Sequence, residues 1–282
     1  MKIFILGSTG MLGHKIFNYL LSKDKYEIIN LSRSKLNKYT IRIDLRDLAE
    51  LESIILANKP DVIINCSGML VKESGNDLPS AIKINSELPK FLDSVSHKYN
   101  YKLIHISTDC VFSGNSGPYN DFDLPDPKDN YGKTKASGEI NNNHNLTIRT
   151  SIIGPELSEN GTGLFNWFMK QEEAINGYTK SIWSGLTTYE VAKAVEYSII
   201  NNEVGLKHLS SNSPISKYML LKIINKITSK KLKINKVDGV MHNKSLIRSK
   251  DFFHTENLSY EKLIHEMYKD IELSGLYNHY QL

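Results

Sequence analysis

The apolar positions of this chain predict strands first. Lys2 to Leu6 (KIFIL), Tyr26 to Leu31 (YEIINL), Asp61 to Asn65 (DVIIN) and Lys102 to Ser107 (KLIHIS) are short, nearly continuous apolar runs, and Ile41 to Leu45 and Leu146 to Ile153 add two more. Continuous rather than alternating runs belong to strands covered on both faces, as in a parallel sheet. Between them the apolar residues take helical spacing: Leu12, Ile16, Tyr19 and Leu20 in one segment, then Asp47 to Asn58, then Leu88 to Tyr99. Asp47 sits at an N-cap with Glu50 three residues later, which marks a helix start. Strands alternating with helices predict an α/β fold, a doubly wound parallel sheet of Rossmann-like type, with ligands at the carboxyl ends of the strands.

The segment Gly114 to Asn130 is rich in Gly, Pro, Asp and Asn and reads as a surface loop, after which Tyr131 to Ile140 resumes a helical pattern. Beyond Ile153 the regularity weakens. Helical patterns remain at Leu164 to Gln171, at Thr187 to Asn201 with a capping box of Thr187 and Glu190, at Lys217 to Thr228 and at Tyr260 to Leu273. The predicted organisation is therefore a dinucleotide-binding domain over residues 1–155, completed by the helix near 187–201, with 156–282 forming mostly a smaller C-terminal substrate lobe.

Composition narrows the class. Hydrophobic residues are 40% and charged residues 23% of the 282, which excludes a disordered or fibrous chain. The net charge of +4 is small, and the basic residues are scattered apart from Lys230, Lys231 and Lys233, so no nucleic-acid partner is expected. No apolar run approaches the roughly 18 residues of a membrane span. The apolar start, Met1 to Leu12, is broken by Gly7 and Gly10 and lacks a cleavage site, so the cytoplasm is the expected location. Cys66 and Cys110 are far apart beside apolar runs and are expected to be reduced and buried; no His or Cys cluster has metal-ligand spacing.

Three motifs carry chemistry. Gly7-x-x-Gly10-x-x-Gly13 stands between a strand and a helix, where backbone amides reach a pyrophosphate at a positive helix N-terminus and a side chain would block the approach. Gly7, Thr9, Gly10, Met11, Leu12 and Gly13 are the candidate contacts. The second strand ends in Leu31-Ser32-Arg33-Ser34, with no acid to hold a ribose 2′-hydroxyl and an Arg to accept a 2′-phosphate. NADPH is the expected cofactor, with NADH still admissible, and a solvated surface Arg33 is the plain alternative. Tyr131-Gly132-Lys133-Thr134-Lys135 heads a helix; Tyr131 and Lys135, four apart, share one face, and an ammonium near a phenol favours the phenolate. Such pairs also arise by chance on surface helices. Ser107-Thr108-Asp109 ends an apolar strand, where the Thr108 hydroxyl would reach a pocket at the strand tip; alone it reads as a cap or turn.

Taken in order, GSTGMLG at Gly7 to Gly13, NCSG at Asn65 to Gly68, HISTDCVFSG at His105 to Gly114, YGKTKASGE at Tyr131 to Glu139 and IRTSIIG at Ile148 to Gly154 resemble the extended short-chain dehydrogenase/reductases. Within them the chain is most similar to the dTDP-4-dehydrorhamnose reductase family, strongly over the first 155 residues and loosely after. The resemblance implies NADPH-dependent reduction of the 4-keto group of a dTDP- or UDP-linked deoxysugar for cell-surface polysaccharide, with a homodimer admissible. It implies that Tyr131 donates the proton, that Lys135 binds the nicotinamide ribose and lowers the Tyr131 pKa, and that Thr108 hydrogen-bonds the substrate carbonyl. Asp44 and Leu45 would lie near the adenine, and Asn65, Cys66 and Ser67 would line the cofactor channel. Asp109 and Cys110 would flank the sugar, while Asn243, Lys244 and Ser245 would contact the diphosphate or form a solvated loop.

Three departures lie near the implied sugar pocket: Cys110 in place of the usual Tyr, Ile152 in place of a Trp, and an unmatched Met69 to Ser80 segment. Two other functions share these motifs. A dehydratase or epimerase would retain its cofactor and, for dehydration, needs an acid after Asp109, where Cys110 stands; a non-catalytic NADP-binding regulator would not need Thr108, Tyr131 and Lys135.

Overall fold

The apolar runs lie side by side in one seven-stranded parallel sheet in the computed structural model, which describes residues 1–211, 213–253 and 259–280. Six strands come in succession: β1 (Lys2–Leu6), β2 (Glu27–Ser32), β3 (Thr40–Arg42), β4 (Val62–Asn65), β5 (Lys102–Thr108) and β6 (Leu146–Thr150). Next, β7 (Ile152–Ile153), β8 (Ile175–Tyr178), β9 (Ser181–Trp183) and β10 (Leu186–Thr187) lie outside this sheet, and β11 (Gly205–Leu209) returns to it beside β6. The order β11-β6-β5-β4-β1-β2-β3 reverses its direction of winding between β1 and β4. That reversal opens a cleft beyond the strand ends, where Leu6 is level with Asn65, and Asn65 with His105.

Both faces of the sheet are apolar, which is why its strands read as unbroken runs. In β1, Ile3 and Ile5 join one core with Phe17 and Val191, while Phe4 and Leu6 join a second with Leu51 and Leu92. All four side chains are fully buried, each worth about 1.5–3 kcal/mol relative to exposure. Helices α1 (Gly13–Leu21), α2 (Leu48–Asn58), α3 (Val71–Asn76), α4 (Leu78–Ile82), α5 (Leu88–Tyr99) and α6 (Asn130–Ser137) belong to the first half, followed by α7 (Leu164–Met169), α8 (Thr188–Ile200), α9 (Lys217–Ile227) and α10 (Tyr260–Ser274). α8 packs on α1, so the main sheet draws both a helix and a strand from the second half.

Local signals landed where their chemistry is local. Asp47 Oδ1 accepts from Glu50 N at 2.9 Å and starts α2 as expected. The run Leu146 to Ile153 splits at Ser151: β6 stays in the sheet, whereas β7 pairs with β10, and Leu186 N donates to Ser151 O at 2.9 Å. Between β4 and α5 the chain makes α3, α4 and a π-helical turn at Lys83–Glu87, none of which the apolar pattern predicts. The C-terminal half also carries β12 (Ile215–Ser216), β13 (Ile234–Val237) and β14 (His242–Asn243). β9 is the middle strand of a small sheet between β12 and β14, and β8 pairs with β13. Among the described residues no helix is long and apolar enough to cross a membrane.

Candidate active site

The Gly7 to Gly13 loop leaves β1 and turns into α1. Gly7 has φ +76°, and a Cβ there would lie 2.8 Å from the Ser67 main chain, so only glycine allows the turn to nest against the end of β4. Thr9 and Gly10 are exposed and Met11 half-buried, whereas the Leu12 side chain is in the core and offers the cleft only its amide. No side chain caps α1 and no acid lies in its first turn. Its N-terminus, without a side-chain cap, and its positive end suit a pyrophosphate.

A cavity of about 380 Å³ is lined by Arg33, Asp44, Leu45 and Arg46 and by Ser67, Gly68 and Met69 after β4. Asp44 and Leu45 thus meet the same groove as Arg33. Asp44 is paired with Arg46, whose bonds to the carboxylate hold its pKa down at about 2. Arg46 was not anticipated. It brings a second guanidinium to the end where a 2′-phosphate would fall, and no pattern along the chain marks it out.

Thr108, the last residue of β5, and Tyr131, in the first turn of α6, are brought together. The Thr108 hydroxyl is near enough to the phenol to favour its ionisation, donates to Asp109 Oδ1 at 3.2 Å and accepts from Cys110 N at 3.1 Å. Asp129 caps α6, its Oδ1 accepting from Gly132 N at 2.7 Å. A Cβ on Gly132 would collide with the Cys110 carbonyl oxygen, so glycine beside Tyr131 lets α6 close on the turn after β5. Burial raises the Tyr131 pKa above that of a free phenol, helped by Cys110, Asp109 and Asp129 and opposed only in part by the Thr108 hydroxyl.

Lys135, one turn after Tyr131, donates from Nζ to Ile106 O at 2.6 Å and lies 3.5 Å from His105 Nε2. The ammonium is buried, which lowers its own pKa to about 8. His105 in turn meets Asn65 Nδ2 at 3.2 Å through Nδ1, and Asn65 Oδ1 accepts from Ser67 N and Oγ. A polar chain thus links the channel residues Asn65 and Ser67 to Lys135. His105 is fully buried and held neutral by that burial.

Two further groups position α6. Asn85, within the π turn, donates from Nδ2 to Thr134 Oγ1 and Met69 O, both at 3.0 Å, and accepts from Met69 N at 2.9 Å. Glu139 and Arg149 form a buried two-contact pair, at 2.9 and 2.8 Å, and Ser107 Oγ donates to Glu139 at 2.6 Å. π turns recur at functional sites, but neither the turn nor its Asn is marked by periodicity.

The thiols differ from expectation. Cys66 and Cys110 are both free but half-buried, with pKa values pushed up by burial to about 12 and about 11. In the C-terminal half, Asn243 serves its own loop, its side-chain oxygen accepting from Ser245 N and Oγ at 3.1 and 2.6 Å. Lys244 is close enough for its charge to act on Cys110.

Comparison with known proteins places this geometry. The family model described as RmlD substrate binding domain matches residues 1–258. A dTDP-4-dehydrorhamnose reductase of Aggregatibacter actinomycetemcomitans is 33% identical over 140 residues, spanning 49% of this chain but only 45% of that relative. Methionine adenosyltransferase 2 subunit beta of Xenopus tropicalis is 26% identical over 242 residues, covering 77% of this chain and 69% of that one. The solved structure of a dTDP-4-dehydrorhamnose reductase from Bacillus anthracis, in complex with NADP, superposes with a TM-score of 0.81 at 21% identity, covering 95% and 99% of the two chains.

Proposed function

Because the chain belongs to the RmlD substrate binding domain family, we propose that it is an NADPH-dependent reductase of the 4-keto group of a nucleotide-linked deoxysugar. In this reading residues 1–155 with α8 hold the dinucleotide and the rest of 156–282 holds mostly the sugar nucleotide, dTDP- or UDP-linked. A place in cell-surface polysaccharide synthesis, a cytoplasmic location and a homodimer accompany the reading. The observation that carries it is the approach of Thr108, at the end of β5, to Tyr131, in the first turn of α6, in a sheet whose β1 ends in a glycine turn nested against Ser67.

When bound, the reduced nicotinamide supplies a hydride to the sugar carbonyl carbon. The amides of Gly7 to Gly13 hold the pyrophosphate, Arg33 and Arg46 the 2′-phosphate, and Lys135 the ribose hydroxyls. Thr108 donates to the carbonyl oxygen and polarises it. Tyr131 gives its proton to that oxygen as negative charge develops. Reduction needs a protonated donor, and burial keeps Tyr131 protonated at neutral pH.

A dehydratase would need a carboxylic acid where Cys110 stands, and that thiol is pushed up to about 11. The longer-spanning likeness to the beta subunit of a methionine adenosyltransferase favours a second reading, an accessory subunit that binds NADP without turnover. The test is a panel of dTDP- and UDP-linked 4-ketosugars with product and NADPH followed together. One NADPH consumed per sugar converted is expected. Conversion without net NADPH loss points to an epimerase or dehydratase, and NADPH binding with no conversion of any sugar points to the accessory subunit.

A further inference from the structure

Two neighbouring residues of α1 hold the end of the chain. α10 stops at Gly275, and Tyr277 just beyond it is buried in the same core as Leu12 and Ile16. Its hydroxyl stands 2.7 Å from His14 Nε2, and its ring centre 5.2 Å from Lys15 Nζ, which also pairs with Asp270 of α10. On its other side the His14 ring meets the glycine loop, with Nδ1 2.8 Å from Gly10 O. A carbonyl oxygen can only accept, so Nδ1 carries the proton, Nε2 offers a lone pair and Tyr277 donates to it. Burial, aided by the Lys15 charge, keeps this imidazole neutral, with its pKa down at about 4.

Gly10 O also accepts from His14 N at 3.1 Å, so one residue fills both of its lone pairs. The Gly10–Met11 peptide is trans, and its N–H points away from its carbonyl. Holding the carbonyl toward α1 therefore turns the Met11 amide outward from the helix end, where a pyrophosphate would lie. The end of the chain braces the loop a second time: the Tyr280 hydroxyl accepts from Glu156 N at 3.0 Å, Glu156 Oε2 accepts from Gly163 N at 2.7 Å, and a Cβ on Gly163 would strike Met11 Cε.

We infer that His14 and Tyr277 are positioning residues for the dinucleotide: Tyr277 fixes the His14 tautomer and His14 fixes the Gly10–Met11 peptide, so that the end of the chain preorganises the pyrophosphate loop. This rests on the dinucleotide reading above. A loop with glycine at 7, 10 and 13 has more backbone freedom to lose than one with side chains, and contacts that order it beforehand remove that cost from binding.

The test is isothermal titration of the full-length protein with NADPH and, separately, with adenosine 2′-phosphate, which carries the 2′-phosphate but no pyrophosphate. Tyr277→Phe and His14→Leu should each weaken NADPH by about 3- to 10-fold, the worth of one neutral hydrogen bond. The double variant should lose no more than His14→Leu alone, because Tyr277 acts through His14. His14→Asn, whose amide N–H stands in for Nδ1–H, should recover most of the loss, and adenosine 2′-phosphate should bind every variant within about two-fold of wild type. Wild-type NADPH affinity in the folded variants overturns the proposal, as does an equal loss for adenosine 2′-phosphate, which marks a site damaged as a whole. Additive losses in the double variant overturn the route through His14. If His14→Leu does not fold, Tyr277→Phe, which keeps its buried ring, decides with the two probes. Failure of the wild type to bind NADPH overturns the dinucleotide reading itself.

Discussion

Lys135 Nζ donates to the main-chain oxygen of Ile106 at 2.6 Å, although Tyr131 lies one turn earlier on the same helix. The two residues share a helix face, and the ammonium is anchored on the strand beside α6. Tyr131 is a half-buried phenol held protonated, and Lys135 a buried ammonium whose pKa has fallen to about 8.

This has a signed pH consequence for Lys135. Below about pH 8 both folded and unfolded chains hold the proton, and the folded state bears the whole cost of burying the charge. Between about 8 and the ordinary 10.5 only the unfolded chain stays protonated, so stability gains with rising pH. Lys135→Met removes this dependence. Its Tm relative to wild type should be highest near neutrality and decline as pH approaches about 10. A Tm difference that is flat with pH in differential scanning calorimetry refutes the buried charge. NADPH affinity of the wild type should also fall as pH rises through about 8 and Lys135 is neutralised, with Lys135→Met weak throughout.

Tyr131→Phe keeps the ring and removes the proton. Loss of a general acid typically costs about 10²–10⁴-fold in kcat. Thr108→Val should lower kcat with little effect on NADPH affinity, because its partner is the substrate carbonyl. The measurement is steady-state kinetics under conditions where chemistry limits the rate. Retention of more than about a tenth of kcat by Tyr131→Phe means that another group gives the proton.

Cofactor choice should depend on two arginines. Arg33→Ala should narrow the NADPH to NADH ratio of kcat/KM, since one charge-assisted contact is worth roughly 1.5–3 kcal/mol. Arg46→Ala should narrow it less, because Arg46 already holds Asp44. Equal use of both dinucleotides by the wild type removes the role of both residues.

The Glu139–Arg149 pair is buried, with side-chain exposures of 7% and 4%, and fastens the end of α6 to β5 and β6. Glu139→Ala leaves a buried guanidinium without its partner and should destabilise the fold by about 3–5 kcal/mol. Glu139→Gln, which keeps the shape and some hydrogen bonds, should cost less. Urea denaturation gives both values, and equal midpoints for Glu139→Ala and wild type contradict a structural role for the pair.

What the sequence by itself determined is what neighbouring residues settle among themselves. Two-sided apolar runs specify a parallel sheet, glycines at three-residue spacing open the turn into α1, Asp47 and Thr187 cap their helices, and Tyr131 falls in the first turn of α6. The strand β11 escaped notice because Gly205 to Leu209 carries Lys and His among its apolar residues and is buried only by lying along β6. Asn85 escaped for the same reason: it acquires its partners, Met69 and Thr134, from distant stretches of chain. The tertiary structure decided which neighbour each polar group meets, such as the Ile106 carbonyl that anchors Lys135. Burial decided the ionisation, because desolvation penalises charge through the surroundings that the whole fold assembles and not through spacing along one helix.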